Sequence, residues 1–336
     1  MMTNANTTTI DIQVSNTVMV QSDASPANQN LSNDTLPQVV KEIIVRHLID
    51  GSLRDDAQQG ITTGVQIMDL QDNHTIMNRN QNGEQYAASL NKLPVAFLVL
   101  QDLRAGKLSL NQQMTWQASD VRAGYGVYDQ PGAPLSATLG DVLFDMLNHS
   151  GNTAVRILVN SGLGGAASVN ARWAAYPQLN HTALQPLDAN RFYLGNTAPS
   201  DALWSLEQLM QTTDQYSSFM KNALATNIFT DFGVRSQLAG NDWIVLVNKV
   251  GILDDPTGDN RHDVGIIYNT RSHKSYGYAL LTTSPEENPS ATPQAEQSLK
   301  DMGLDLLRFA GDRPASHATP FATPNAARTP EKKVLY

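Results

Sequence analysis

Residues 242–283 read DWIVLVNKVGILDDPTGDNRHDVGIIYNTRSHKSYGYALLTT. Three segments in it, WIVLVNKVG, VGIIYN and YGYALLTT, have strand length and strand composition, and Gly, Pro, Asp, Asn and Ser separate them. Upstream, Gly64–Asp69 and Thr75–Asn78 are also strand-like and are split by the turn residues Gln71, Asp72 and Asn73. A helical pattern precedes them, with Val39, Val40, Ile43, Ile44, His47 and Leu48 recurring at helical spacing. Between the two strand groups, Ser89 to about Ala225 is mainly helical with Gly/Pro loops, and a final helix spans Ala295–Phe309. The order helix, strands, many helices, strands, helix predicts an α+β fold. In it an antiparallel sheet is flanked by helices, and an all-helical subdomain is inserted between the halves of the sheet.

Residues 1–35 are rich in Thr, Asn and Ser with little apolar periodicity, and are expected to be a disordered leader. Residues 313–336, with several Pro, Ala and Thr, are expected to be a disordered tail. The body, 36–312, is expected to be one large catalytic-size domain: a sheet subdomain from 36–88 plus 240–312, and a helical subdomain over 89–239.

The 336 residues are 41% hydrophobic, enough for a sizeable core, and only 16% charged. Lys plus Arg number 23 against 32 Asp plus Glu, for a net charge of -9. That balance argues against a nucleic-acid partner, because phosphate binding needs clustered cations. The absence of cysteine excludes disulfides, a thiolate zinc site and a cysteine nucleophile. No apolar run has the roughly 18–20 residues of a membrane-spanning helix, and the first residues lack the basic start and apolar stretch of a secretory signal.

Three short patterns carry chemistry. In Ser89-Leu90-Asn91-Lys92 a helical spacing of three puts hydroxyl and amine on one face. The positive end of a helix favours a developing alkoxide and a deprotonated lysine, so the pair can act as nucleophile and base. A capping serine beside a solvated lysine is the plainer alternative. Pro94 is tolerable only in or near the first turn. Ser150-Gly151-Asn152, between two apolar helical segments, can aim a hydroxyl and an amide into a cleft, or simply cap a helix. Lys249-Val250-Gly251 ends a strand. A lysine there needs a partner or a task, and Gly251 permits close approach of another backbone.

Taken together, in this order and with gaps of about 60 and 100 residues, the three motifs resemble those of the class A β-lactamase and DD-peptidase (penicillin-binding) superfamily. SLNKLPVAFLVLQDL, MLNHSGNTAVRILV, Asn196–Ser200 and NKVGILDDPTGDNRHDVGIIYN agree with it, and the likeness spans about 40–310. The resemblance implies a β-lactamase/DD-peptidase-like fold and a serine hydrolase that hydrolyses β-lactams or related acyl amides through an acyl-enzyme. It implies that Ser89 is the nucleophile and Lys92 its base. Ser150 would relay a proton to the leaving nitrogen, Asn152 would hold Lys92 and the substrate amide, and Lys249 would bind the substrate carboxylate. The backbone N–H groups of Ser89 and Ile252 would form the oxyanion hole. Val250 and Gly251 would line the substrate, with Tyr125 either an aromatic wall of the cleft or a buried loop aromatic. The implied partner is a small β-lactam or a cell-wall peptide, with no cofactor, no metal and no integral membrane segment. A monomer is expected, in an extracytoplasmic location (periplasmic, secreted or surface-anchored). A DD-peptidase, an esterase, or a non-catalytic cell-wall binding module on the same fold are the alternatives.

Two departures stand out. The usual Lys-Thr-Gly or Lys-Ser-Gly is Lys-Val-Gly, and a lost hydrogen bond to a charged carboxylate costs roughly 1.5–3 kcal/mol. The stretch expected to carry the deacylating glutamate, ALQPLDANRFYLGNTAPS, has no Glu. Gln185 is the best positional match and Asp188 the sole carboxylate; Glu207, further on, is expected to be a solvated helix residue. Acylation with slow deacylation is the expected behaviour. The seven histidines show no metal spacing, and His149 beside Ser150 is expected to be a packed turn residue. Asp254, Asp255, Asp259 and Asp263 are expected to form turns.

Overall fold

A computed structural model describes residues 36–311 except 189–190, 255–257 and 289–290. The expected leader and tail, and Asp255, therefore lie outside the described residues. In chain order the elements are α1 (Gln38–Gln58), β1 (Thr62–Asp69), β2 (His74–Arg79), β3 (Gln85–Tyr86), α2 (Lys92–Arg104), β4 (Gln113–Thr115) and β5 (Ser136–Thr138). There follow α3 (Leu139–Asn148), α4 (Asn152–Ile157), α5 (Ala166–Trp173), β6 (Ala183–Pro186), β7 (Phe192–Thr197), α6 (Pro199–Met210) and α7 (Gln215–Ala225). β8 (Ile244–Leu253), β9 (Asn260–Asn269), β10 (Ser275–Thr283) and α8 (Ala291–Gly311) complete the chain. The fold is α+β, as the sequence pattern predicts.

The main sheet has the order β2-β1-β10-β9-β8, with antiparallel neighbours. Its two faces bury two cores, and the strand period of two sorts the side chains between them. In β10, Ala279 and Leu281 face a core shared with α2, α3, α4 and α6, while Tyr278 and Leu280 face α8 and α1. The α1 helix packs with a different stripe from the one its sequence spacing suggests. Val39 and Ile43 are exposed, whereas Val45 and Ile49 are buried against α8 and the sheet. Apolar residues lie on both sides of this helix, so periodicity alone does not choose the face.

The centre of the molecule is α2. Leu93 and Val95–Leu100 are all buried, so the helix is apolar all round, as a core helix must be. Pro94 is its third residue, where no intrahelical N–H partner is lost, and its carbonyl accepts the Trp173 indole N–H at 3.1 Å. A short 3₁₀ turn, Ala88–Asn91, leads into it. The inserted block is not all-helical: it carries the two-stranded β4–β5 sheet, and its β6 and β7 form a second small sheet with β3, just ahead of the block. No helix among the described residues is long and apolar enough to cross a membrane.

Candidate active site

β8 is one of the two edge strands, and it runs beside the 3₁₀ turn that carries Ser89. The approach is close, tighter than nearly all side-chain contacts allow. A Cβ at residue 251 would stand 3.2 Å from the Ala87 carbonyl oxygen and 3.1 Å from the His262 ring. Ala88, just before Ser89, adopts φ +44°, and Ser150 adopts φ +59°. Both are left-handed conformations that L side chains rarely take, and such strain concentrates where geometry is over-determined.

Three of the predicted side chains converge on one amine. Lys92 Nζ lies 2.9 Å from Ser89 Oγ, 3.1 Å from Ser150 Oγ, 2.9 Å from Asn152 Oδ1 and 2.6 Å from the Ser150 carbonyl oxygen. Lys249 Nζ donates to Ser150 Oγ at 2.8 Å and to the Val250 carbonyl at 2.8 Å. Ser150 Oγ thus bridges the two lysines. Both lysines are fully buried, whereas Ser89 and Asn152 are partly open to solvent.

Burial removes hydration from the ammonium form, and this pushes Lys92 down to about 8, although the nearby Asp129 and Asp145 carboxylates pull it up. Lys249 is lowered well below its usual value, first by burial and then by the charge of Lys92. A neutral Lys92 has two N–H bonds. The Ser150 carbonyl and Asn152 Oδ1 can only accept, so they take both, and the lone pair is left to a hydroxyl. Ser89 is then placed to give up its proton.

The remaining predicted residues are placed as follows. Val250 is 2% exposed, so its side chain offers almost nothing to the cleft. Ile252 follows on the same edge strand and is half-buried. Tyr125 is exposed and packs edge-on against Phe229 at 5.4 Å, while Phe229 receives Lys249 Nζ at 5.7 Å from its ring centre. Sequence reasoning missed Phe229, which has no motif around it. The segment with Gln185 and Asp188 is largely strand. Its strands β6 and β7 pair with each other, Gln185 opposite Tyr193, and Gln185 is exposed. Asp188 is exposed too, and it accepts from the Arg191 backbone N–H at 2.8 Å and from its guanidinium at 2.5 Å. These strands are held to the Ser89 turn by Asn91. Its fully buried amide nitrogen contacts the carbonyls of Leu194 at 2.5 Å and Asn196 at 3.0 Å.

Two further expectations are corrected. Glu207 is not a solvated residue: it lines a cleft of about 400 Å³ with Gln66 and Trp204, and burial raises its carboxyl to about 7. Asp263 is no turn former either. It lies fully buried in β9, accepting from Asn248, Tyr278 and the Val234 N–H, behind Lys249. Asp254 pairs with Arg261 at 2.7 Å, and Asp259 accepts from Thr292 at 2.6 Å. His149 is the packed turn residue expected, 3.2 Å from Asp145.

This cluster of two lysines, two serines and an asparagine sits on an α+β fold that solved structures share. A β-lactamase from Sphaerobacter thermophilus DSM 20745 superimposes with a TM-score of 0.66 at 21% identity, covering 80% of this chain and 98% of that one. The chromosome-encoded β-lactamase of Vibrio parahaemolyticus gives 0.65 at 18%, with coverage of 78% and 98%. The L158E mutant of PBP-A, an acyl-enzyme complex with penicillin G, gives 0.64 at 16%, with coverage of 81% and 97%. The model of the beta-lactamase enzyme family matches residues 45–309, and the chain belongs to that family. No curated protein matches the chain. Family and fold support a serine β-lactamase-like function.

Proposed function

We propose that the chain is a serine hydrolase acylated at Ser89 by β-lactams or related acyl amides, with slow hydrolysis of the acyl-enzyme. One observation carries the reading: a fully buried lysine, lowered to about 8, whose lone pair is left for the Ser89 hydroxyl. Lys92 takes the Ser89 proton as Oγ attacks the acyl carbon. The backbone N–H groups of Ser89 and Ile252 receive the developing oxyanion, a contribution usually worth about 3–4 kcal/mol. Ser150 passes a proton to the leaving nitrogen from the chain of contacts joining Lys92 and Lys249. Asn152, Tyr125, Gly251 and Lys249 position the substrate, which is a small β-lactam or a cell-wall peptide. Extracytoplasmic action and a monomeric state accompany this reading.

A second reading on the same chemistry, a DD-peptidase, is favoured by the exposed positions of Gln185 and Asp188. Neither is set to activate a water at the ester, so the acyl-enzyme with a β-lactam would persist. Incubation with a fluorescent penicillin tests the common step. The parent should label once per chain and Ser89→Ala should not; labelling of Ser89→Ala at the parent rate would exclude Ser89 as nucleophile.

A further inference from the structure

The groups that could hold an anion at the Lys249 end of the cleft are already engaged. Lys249 is buried, and its Nζ donates to Ser150 Oγ and to the Val250 carbonyl. The Phe229 ring covers it, 5.7 Å from ring centre to nitrogen. That ring is tied to β8 itself. The Phe229 N–H donates to Asn227 Oδ1 at 3.1 Å, and the Asn227 amide donates to the Asn248 carbonyl at 3.0 Å and to Asn248 Oδ1 at 2.9 Å. Val250 is buried and has no hydroxyl. Ser150 Oγ carries one proton, and the proposed reaction gives it to the leaving nitrogen.

Two arginines lie beside β8. Arg235 donates to Asn248 Oδ1 at 2.7 Å and to the carbonyls of Leu224, Ala225 and Leu246. Arg261 stands opposite Ile252 in the register of β8 and β9. Its side chain is 7% exposed, and it is paired at 2.7 Å with both Asp254 and Glu296. Two carboxylates on one guanidinium leave this end of the strand negative. Asp254, with a side chain 77% exposed, follows closely on Ile252, the proposed oxyanion donor. A substrate carboxylate arriving there would meet Asp254 at the rim and, beyond it, cations beside β8 that are already paired or covered. An uncharged group would lie against the edge-on rings of Tyr125 and Phe229 without that repulsion.

We infer that the substrate is a neutral acyl donor, an amide or ester whose leaving half carries no carboxylate, selected by Phe229 and by the Asp254–Arg261–Glu296 cluster. Phe229 determines specificity by covering Lys249, and Asp254 and Glu296 act by holding Arg261. Lys249 then works through Ser150, in place of the carboxylate contact that the resemblance implies. The inference rests on acyl transfer to Ser89 and names what that site accepts.

The test compares penicillin G with its methyl ester, which differ only in the carboxylate. In both, Ser89 Oγ bonds to the lactam carbonyl carbon, the lactam C–N bond breaks and the nitrogen takes the proton. The adduct thus carries the whole compound, and intact mass follows each one. The ester is expected to label the parent at least as fast as the acid. A bound carboxylate would make the acid faster by about tenfold or more, and that result overturns the inference. Asp254→Asn and Phe229→Ala should each raise the ratio of acid to ester labelling about two- to threefold, the effect of one charge near the surface. An unchanged ratio in both variants, whatever the separate rates, overturns the selection. If neither compound labels the parent, acyl transfer to Ser89 falls, and calorimetric binding of both compounds to Ser89→Ala decides the subsite. Affinity for the ester at least equal to that for the acid supports the inference; a tenfold preference for the acid, or no binding of either, overturns it.

Discussion

Lys92 can act as a base only when it is neutral. Its folded value of about 8 lies below the 10.5 of a free lysine, so the neutral form gains population as pH rises through 8. Acylation of Ser89 is therefore expected to rise with pH up to about 8 and then level off. A stopped-flow profile of labelling between pH 6 and 9.5 checks this, and a flat profile would place the base elsewhere. Lys92→Ala should slow acylation by about 10²- to 10⁴-fold without loss of fold. Both Gln185→Glu and Asp188→Asn should leave deacylation within about twofold of the parent, since both side chains sit in exposed positions and Asp188 is held by Arg191. Rates of acyl-enzyme loss on the three proteins measure it; faster loss in Gln185→Glu would mean that β6 turns toward the ester in the acyl-enzyme. The motif residues Ser89, Lys92, Ser150, Asn152 and Lys249 were legible because each sits at a fixed short spacing within its motif. Asp129, Asp145 and Phe229 were not. Their partners lie far along the chain, and nothing local distinguishes a buried Asp from a turn-forming one.

At the scale of elements, the contact that matters most is the one between the Ser89 turn and the β6–β7 strands. The Asn91 amide donates to carbonyls of β7, and the Ala87 N–H donates to the Gly195 carbonyl of the same strand. Replacing Asn91 by Leu removes the donor that these carbonyls share. A loss of about 1–3 kcal/mol is expected, read by denaturant unfolding, with slower labelling of Ser89 because its turn loses support. Gly251→Ala should act similarly through the Ala87 carbonyl. The strands β8, β9 and β10 could be read directly from their composition and turns. The β6–β7 pairing could not: ALQP is short, and RFYLGNT breaks strand alternation at Gly195, whose φ of +65° suits glycine. Its strand character comes from pairing with β3 and from Asn91, both tertiary contacts.

The whole molecule carries buried acids away from the site as well. Glu207 is raised from 4.5 to about 7 by burial alone. A carboxyl raised in the folded state binds more protons there than in the unfolded chain between these two values, so its contribution falls as pH rises across that window. Glu207→Gln should thus match the parent near pH 4 and exceed it at pH 8 by about 2 kcal/mol, allowing for partial solvent access. Equal stabilities at pH 8 would show that the cleft hydrates the carboxylate. The central claim, that Ser89 forms an acyl-enzyme that persists, concerns the molecule as a unit, since β8, the nucleophile turn and the Ser150 turn must meet to make it. Intact mass spectrometry on quenched samples, seconds to hours after mixing with penicillin G, tests it most directly. The expected result is a single adduct of one whole penicillin on the parent, lost slowly and absent from Ser89→Ala; rapid hydrolysis with no adduct, or no adduct and no hydrolysis, would contradict it.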